Sequence, residues 1–169
     1  MSELQAARII RERTCFDRVP YLSWKDKVDY LAFRWYDESA SLPLKHIFEP
    51  GMYIREISIP ADSYFIGRDH KLGHPCELVS GKIVLITERE RKVLEAPYSL
   101  CTVPGYQMVL YAITDVVGRT YHVNPDDCRD IAALEARIFA PVATTLERGR
   151  RVLERVPTLQ QADIQGFLA

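Results

Sequence analysis

The sequence predicts a mainly β protein, an antiparallel sandwich or barrel with helical extensions at both ends. The first observation behind this is a series of short strand-like stretches between about residues 46 and 124, each bounded by turn residues. They read MYIREISI, SYFIGR, CELVSGKIVLITE, KVLEA, YSLCTV, YQMVLYAI and RTYHVN, with no helical segment between them. Such spacing excludes alternating β and α units and indicates an antiparallel sheet pair. The second observation is that apolar residues on either side recur at helical spacing. The third is size: 169 residues with 47% hydrophobic and 27% charged side chains suffice for one well-buried core. The expected division is a helical extension over 1–45, a barrel over 46–125, and helices with a tail over 126–169.

In the N-terminal zone, Ser23 and Asp26 form a capping-box pattern, with Asp in place of the preferred Glu or Gln. Trp24, Val28, Leu31 and Trp35 then make one apolar stripe. Asp37, Glu38 and Ser39 lead to Pro43, which should close the helix. In the middle zone, Pro50-Gly51 and Pro104-Gly105 are turns at strand entrances. In the last zone, Asp126 or Asp127 is the expected cap of a helix presenting Ile131, Leu134 and Ile138. Pro141 interrupts it, and a second helix runs from about Val142 to Val156. Arg148, Arg150, Arg151 and Arg155 alternate there with Glu147 and Glu154, which reads as a solvated face rather than a nucleic-acid surface. In the tail TLQQADIQGFLA, Thr158 and Gln161 form a further capping box. Leu159, Ile164, Phe167 and Leu168 give that short segment apolar residues it cannot bury alone.

Net charge is −1, from 22 basic and 23 acidic residues, so no global field steers the chain to nucleic acid or an anionic membrane. Cys15, Cys76, Cys101 and Cys128 are scattered without a C-x-x-C pair, against a zinc ribbon, a redox dithiol or a disulfide framework. The opening MSELQAARIIRERTC lacks the apolar stretch of a signal peptide, and no window reaches a membrane span. A reducing cytoplasm is the expected compartment. There is no Gly-rich phosphate loop, nucleophile elbow or Ser/His/Asp order.

The stretch GRDHKLGHPCELVSGKIVLI carries the candidate site. With Gly81 as the closing glycine of a G-x5-H-x-H-x(3,4)-E-x6-G phrase, the glutamate slot falls on His74. The second histidine slot falls on His70 and the first on Arg68. In VPGYQM, Gly105 fills the glycine of a P-x-G-x-x-H phrase, the proline is shifted to Pro104, and Met108 stands where the histidine belongs. On these residues the middle zone resembles the cupin superfamily, which implies a double-stranded β-helix of two facing antiparallel sheets. The resemblance also implies ligands at the barrel mouth, with two of the four usual ones missing. The last strand of that fold lies beside the strand following the first motif's ligands, so His122 can replace the missing histidine. His70, His74 and His122 plus water would suit zinc, nickel or iron(II).

A narrower likeness is to small phage- and prophage-encoded cupin-like proteins, through FEPGMYIREISIPA, HKLGHPCELVSGKI, EAPYSL, VPGYQMVLYAITD and TYHVN. That group has no settled activity to carry over.

The bland reading of the histidines stands beside the metal one. His70 between Asp69 and Lys71 has the setting of an exposed turn histidine, and His122 could bond backbone or Tyr111. His46 lies outside the motif and reads as structural. Glu77 either adds a carboxylate or points out of the barrel, and Cys76 reads as a buried inert thiol. Tyr53, Arg55, Tyr64, Tyr111 and Asp115 are candidates for lining a polar cavity.

Two function classes follow. One is an interaction or structural protein, a virion or assembly component. It would associate as a homo-oligomer or with other phage proteins through its helical ends, without membrane or direct nucleic-acid contact. The other is a metal-dependent cupin enzyme acting on a small polar molecule. The missing ligands, and the lack of a convincing acid/base group beyond the histidines, tilt the sequence toward the first.

Overall fold

The computed structural model describes residues 22–34 and 42–156. Nine strands are present among the described residues. They are β1 (Leu44–Glu49), β2 (Met52–Ile59), β3 (Ser63–Ile66), β4 (Pro75–Ser80), β5 (Lys82–Ile86), β6 (Arg91–Glu95), β7 (Tyr98–Cys101), β8 (Val109–Ala112) and β9 (Val116–Val123). One sheet has the order β1-β2-β9-β4-β7 and the other β3-β8-β5-β6, and every pairing is antiparallel. With β1 set aside as an added edge, the strand order is that of a jelly roll of two Greek keys. The fold is therefore the expected cupin-type double-stranded β-helix, mainly β with flanking helices.

The core lies between the sheets. Ile59, Leu78 and Val116 from the first sheet meet Ile83, Leu94, Leu110 and Ala112 from the second, all buried, with Ile57, Phe65 and Leu85 packed against them. The turn from β4 into β5 requires glycine. Gly81 has φ +93°, and a Cβ there would stand 2.3 Å from the Asp115 carbonyl oxygen.

The helices are α1 (Trp24–Arg34), α2 (Ile131–Ile138) and α3 (Val142–Arg155). The chain divides into two compact units. The strands and α2 fall within Ala40–Ala140, and α1 and α3 belong to the other unit. In α1 the predicted cap is present: the Ser23 hydroxyl accepts from the Asp26 N–H at 3.0 Å and donates to the Asp26 carboxylate at 2.8 Å. Val28 and Leu31 are buried. Trp35 and the tail from residue 157, with its capping box and apolar residues, lie outside the described residues, as does Cys15.

Strand β1 is an addition to the strands expected: it begins at Leu44, two residues before the expected barrel, and is held by its pairing with β2. Two expectations need correction. Helix α2 is capped by Asp130, not by Asp126 or Asp127. The Asp130 carboxylate accepts from the N–H groups of Ala132 (2.9 Å) and Ala133 (3.2 Å). Asp126 instead pairs with Arg137, and Asp127 accepts the Gly51 N–H at 2.8 Å.

Arg148 also departs from the solvated reading of α3. It pairs with buried Asp29 at 2.9 Å, and Lys25 takes the same carboxylate at 2.7 Å. There α3 touches α1 at backbone level, since a Cβ on Gly149 would meet the Asp29 carbonyl oxygen at 2.4 Å. Arg150 and Arg151, by contrast, pair with Glu147 and Glu154 on an exposed surface. Among the described residues no helix is long and apolar enough to cross a membrane.

Candidate functional site

Strands β2, β9 and β4 lie side by side, and alternate residues of each face inward. On β2 the inward set that ends in Ile57 and Ile59 begins with Tyr53 and Arg55. Tyr53 pairs with His122 and Arg55 with Thr120 on β9. Cys76 on β4 pairs with the same Thr120, so continuing that register places His74 opposite His122. His70 arrives from the preceding loop, where it forms an isolated bridge with Phe139.

The three predicted histidines come together. Ring centroids are 3.9 Å apart for His70 and His74, 4.9 Å for His74 and His122, and 5.5 Å for His70 and His122. All three are buried, so His70 is not the exposed turn residue that its neighbours Asp69 and Lys71 suggest.

Their tautomers follow from their partners. The His70 Nδ1 lies 2.9 Å from the Arg68 carbonyl oxygen. A carbonyl only accepts, so Nδ1 carries the proton and Nε2 the free lone pair. The His74 Nδ1 faces the Leu72 carbonyl at 3.3 Å and the Thr102 hydroxyl at 2.9 Å, and that hydroxyl accepts the His74 N–H. The buried Nε2 atoms of His70 and His74 have no hydrogen-bond partner among the described residues. The His122 Nε2 is 3.0 Å from the Thr120 hydroxyl, not bonded to Tyr111.

Burial pushes His70 and His122 down to about 3, and the neighbouring imidazoles and Arg55 add to the effect. His74 is lowered too, again chiefly by burial. The cluster is therefore neutral near pH 7.

Helix α2 brings a second group that the sequence pattern did not place here. The Glu135 carboxylate bridges two guanidiniums, Arg55 Nη2 at 3.2 Å and Arg68 Nη1 at 2.8 Å. Phe139 follows the helix, with Arg68 3.8 Å and Arg55 4.6 Å from its ring centroid, and His70 4.6 Å away. The end of α2 is fastened to the His70 loop by Lys71 N–H to the Ile138 carbonyl and Ala140 N–H to the Asp69 carbonyl, both 2.8 Å. The Arg55 Nε is buried without a hydrogen-bond partner among the described residues.

Of the other candidates, Tyr53 and Arg55 are at the site. The His46 Nδ1 meets the Tyr53 hydroxyl at 2.6 Å and so supports the site from β1. Tyr111 and Tyr64 pack on each other and Tyr111 donates to Asp62, while Asp115 accepts the Ala61 N–H. These three take no part in the histidine cluster. Glu77 bonds Tyr121 and sits opposite Arg119, on the other face of β4 from Cys76. Cys76 is buried, and burial pushes its thiol up to about 12, which keeps it protonated.

Whether the residues fit a metal turns on the orphaned nitrogens. Two buried lone pairs on adjacent rings, each fixed by an Nδ1 hydrogen bond, are the donor chemistry of a borderline divalent cation. As they stand, no group of three or more His, Cys, Asp or Glu side chains among the described residues is set out to hold a metal ion. The pair His70 and His74 is presented, and His122 is turned to Thr120.

No protein-family model matches the sequence, and no curated protein matches it. Solved structures with a similar fold include an HTH_3-family transcriptional regulator from Vibrio cholerae, 13% identical, with a TM-score of 0.42. That match spans 52% of this chain and about half, 53%, of the regulator. A cupin-2 domain-containing protein from Shewanella frigidimarina is 9% identical over 61% of this chain and 94% of its own, with a TM-score of 0.42. An acetylacetone dioxygenase from Acinetobacter johnsonii is 14% identical over 50% and 61%, with a TM-score of 0.41. The narrower likeness to phage-encoded proteins is not carried by these matches.

Proposed function

We propose that the histidine end of the barrel is a divalent-metal site that binds a small polar molecule, with His70 and His74 as ligands and His122 as the third. The observation that carries this reading is the pair of buried Nε2 atoms, without a hydrogen-bond partner among the described residues, on rings 3.9 Å apart. Burying a polar atom without a partner costs about 1–3 kcal/mol, and a cation between the two would offset that cost for both. Such an ion would supply Lewis acidity. Tyr53, Arg55 and Arg68, together with Glu135, which the sequence pattern does not place here, put polar groups beside the histidines, and this moves the balance from the assembly reading to the small-molecule reading.

Elemental analysis of chelator-free protein, purified without a nickel tag, tests it. About one zinc, nickel or iron per chain is expected, lost in His70→Ala/His74→Ala and retained in Arg150→Ala on exposed α3. A metal-free wild type, or equal content in the double variant, would sink the proposal.

The assembly reading, as a homo-oligomer or with phage partners, now rests on the helical ends. The α1 and α3 helices form their own compact unit. If it holds, removing residues from 157 onward lowers the mass measured by light scattering while the barrel stays folded.

A further inference from the structure

We propose that the ligand of this site is a small carboxylate, and that Glu135 is a built-in stand-in for it, occupying the seat the carboxylate takes; this rests on the small-molecule reading above. Arg55 and Arg68 come from different parts of the barrel unit, β2 and the loop before His70, yet both aim at one two-oxygen group. Each guanidinium takes one oxygen of the same carboxylate, an arrangement suited to a planar carboxylate. The Arg55 side chain is 14% exposed, so its charge is largely desolvated and needs a nearby anion.

One carboxylate against two guanidiniums leaves the seat with an excess positive charge. The Arg55 Nε points to the same need, being buried with no hydrogen-bond partner among the described residues.

The seat is also reachable and close to the lone pairs. Glu135 is 29% and Arg68 36% exposed, so the glutamate can rotate out without moving α2. One ring, Phe139, touches both arginines and His70. A molecule anchored on Arg55 and Arg68 by one carboxylate therefore needs only a few atoms to bring a second polar group to the Nε2 atoms of His70 and His74. A tethered carboxylate competes at an effective concentration in the millimolar range. Wild-type affinity is accordingly weakened by self-occupation.

Calorimetry with malonate, inorganic phosphate and uncharged malonamide on the full chain tests this, with metal content measured on each sample. Glu135→Gln should bind malonate about tenfold more tightly than wild type, and Arg68→Gln in that background should lose about tenfold or more. Arg55→Lys should weaken binding as well, because a point charge cannot reproduce the fork. Thermal melts confirm that each variant is folded. Equal malonate affinity in wild type and Glu135→Gln, no effect of Arg68→Gln, or tighter binding of phosphate or malonamide than malonate overturns the proposal. The two readings fail separately. Metal-loaded protein indifferent to malonate removes the carboxylate and leaves the metal site, and metal-free protein with the expected malonate ranking does the reverse.

Discussion

The two ends of the barrel interior are built from the same strands and obey opposite rules. Toward one end, β2 contributes Ile57 and Ile59, β9 contributes Val116, and β4 contributes Leu78, all to a dry apolar core. A few residues along the same inward faces, β2 offers Tyr53 and Arg55, β9 offers Thr120 and His122, and His74 precedes β4. The first end gains stability in proportion to the apolar area it removes from water. The second buries three imidazoles and leaves two Nε2 atoms and the Arg55 Nε without a partner among the described residues, which costs stability. Strand alternation sets which residues face inward; their chemistry sets which end folds the protein and which end is free for function.

The largest expected effect breaks the apolar end. Ile59→Ala should cost about 2–5 kcal/mol by urea denaturation while leaving metal content unchanged, and a variant that loses metal instead would merge the two ends into one.

The next effect belongs to the histidine end and depends on pH. His70 and His122 have folded-state values near 3 against an ordinary 6.5, so between those values the unfolded chain binds more protons. Their contribution is fully present above about pH 6.5 and is lost as pH falls toward 3. The slope is about 1.4 kcal/mol per pH unit for each proton. Denaturation at pH 7, 5.5 and 4.5 should show a shallower fall for His70→Gln/His122→Gln than for wild type. Parallel curves would mean that the imidazoles are not held neutral.

A smaller effect tests how α2 is anchored. Asp130→Ala should cost about 1 kcal/mol, whereas Asp126→Ala, which removes an exposed ion pair, should cost less. The reverse order would reinstate Asp126 as the effective cap. Smallest of all, Arg150→Ala on exposed α3 should leave the urea midpoint essentially unmoved.

The fold was legible where alternation was strong. MYIREISI coincides with β2 to the residue, and SGK marks the β4–β5 turn because only glycine fits there. Strand β1 was hidden: it is an edge strand whose residues do not alternate between buried and exposed, so it lacks the period that marks a half-buried strand. His70 and His74 were readable from motif spacing, and His122 from the strand order that the cupin resemblance implies. Tyr111 misled because every residue of β8 is buried, and parity cannot choose a face when both are covered. Glu135 and Phe139 could not be found from spacing. They reach the site from α2 and its C-terminal cap, 67 and 69 residues beyond Arg68 and His70.

The irregularity in β4 has a consequence for which length changes the gene can accept. Pairing with β9 runs unbroken through Cys76, Glu77 and Leu78, then shifts between Leu78 and Ser80. The extra residue is thus absorbed on the Gly81 side, past the point where His74 is aligned with His122. An insertion near Val79 can enlarge an existing bulge and leave that alignment alone. One between His74 and Leu78 turns His74 to the outer face, so deletions and insertions there should be purged even when they cost the barrel little.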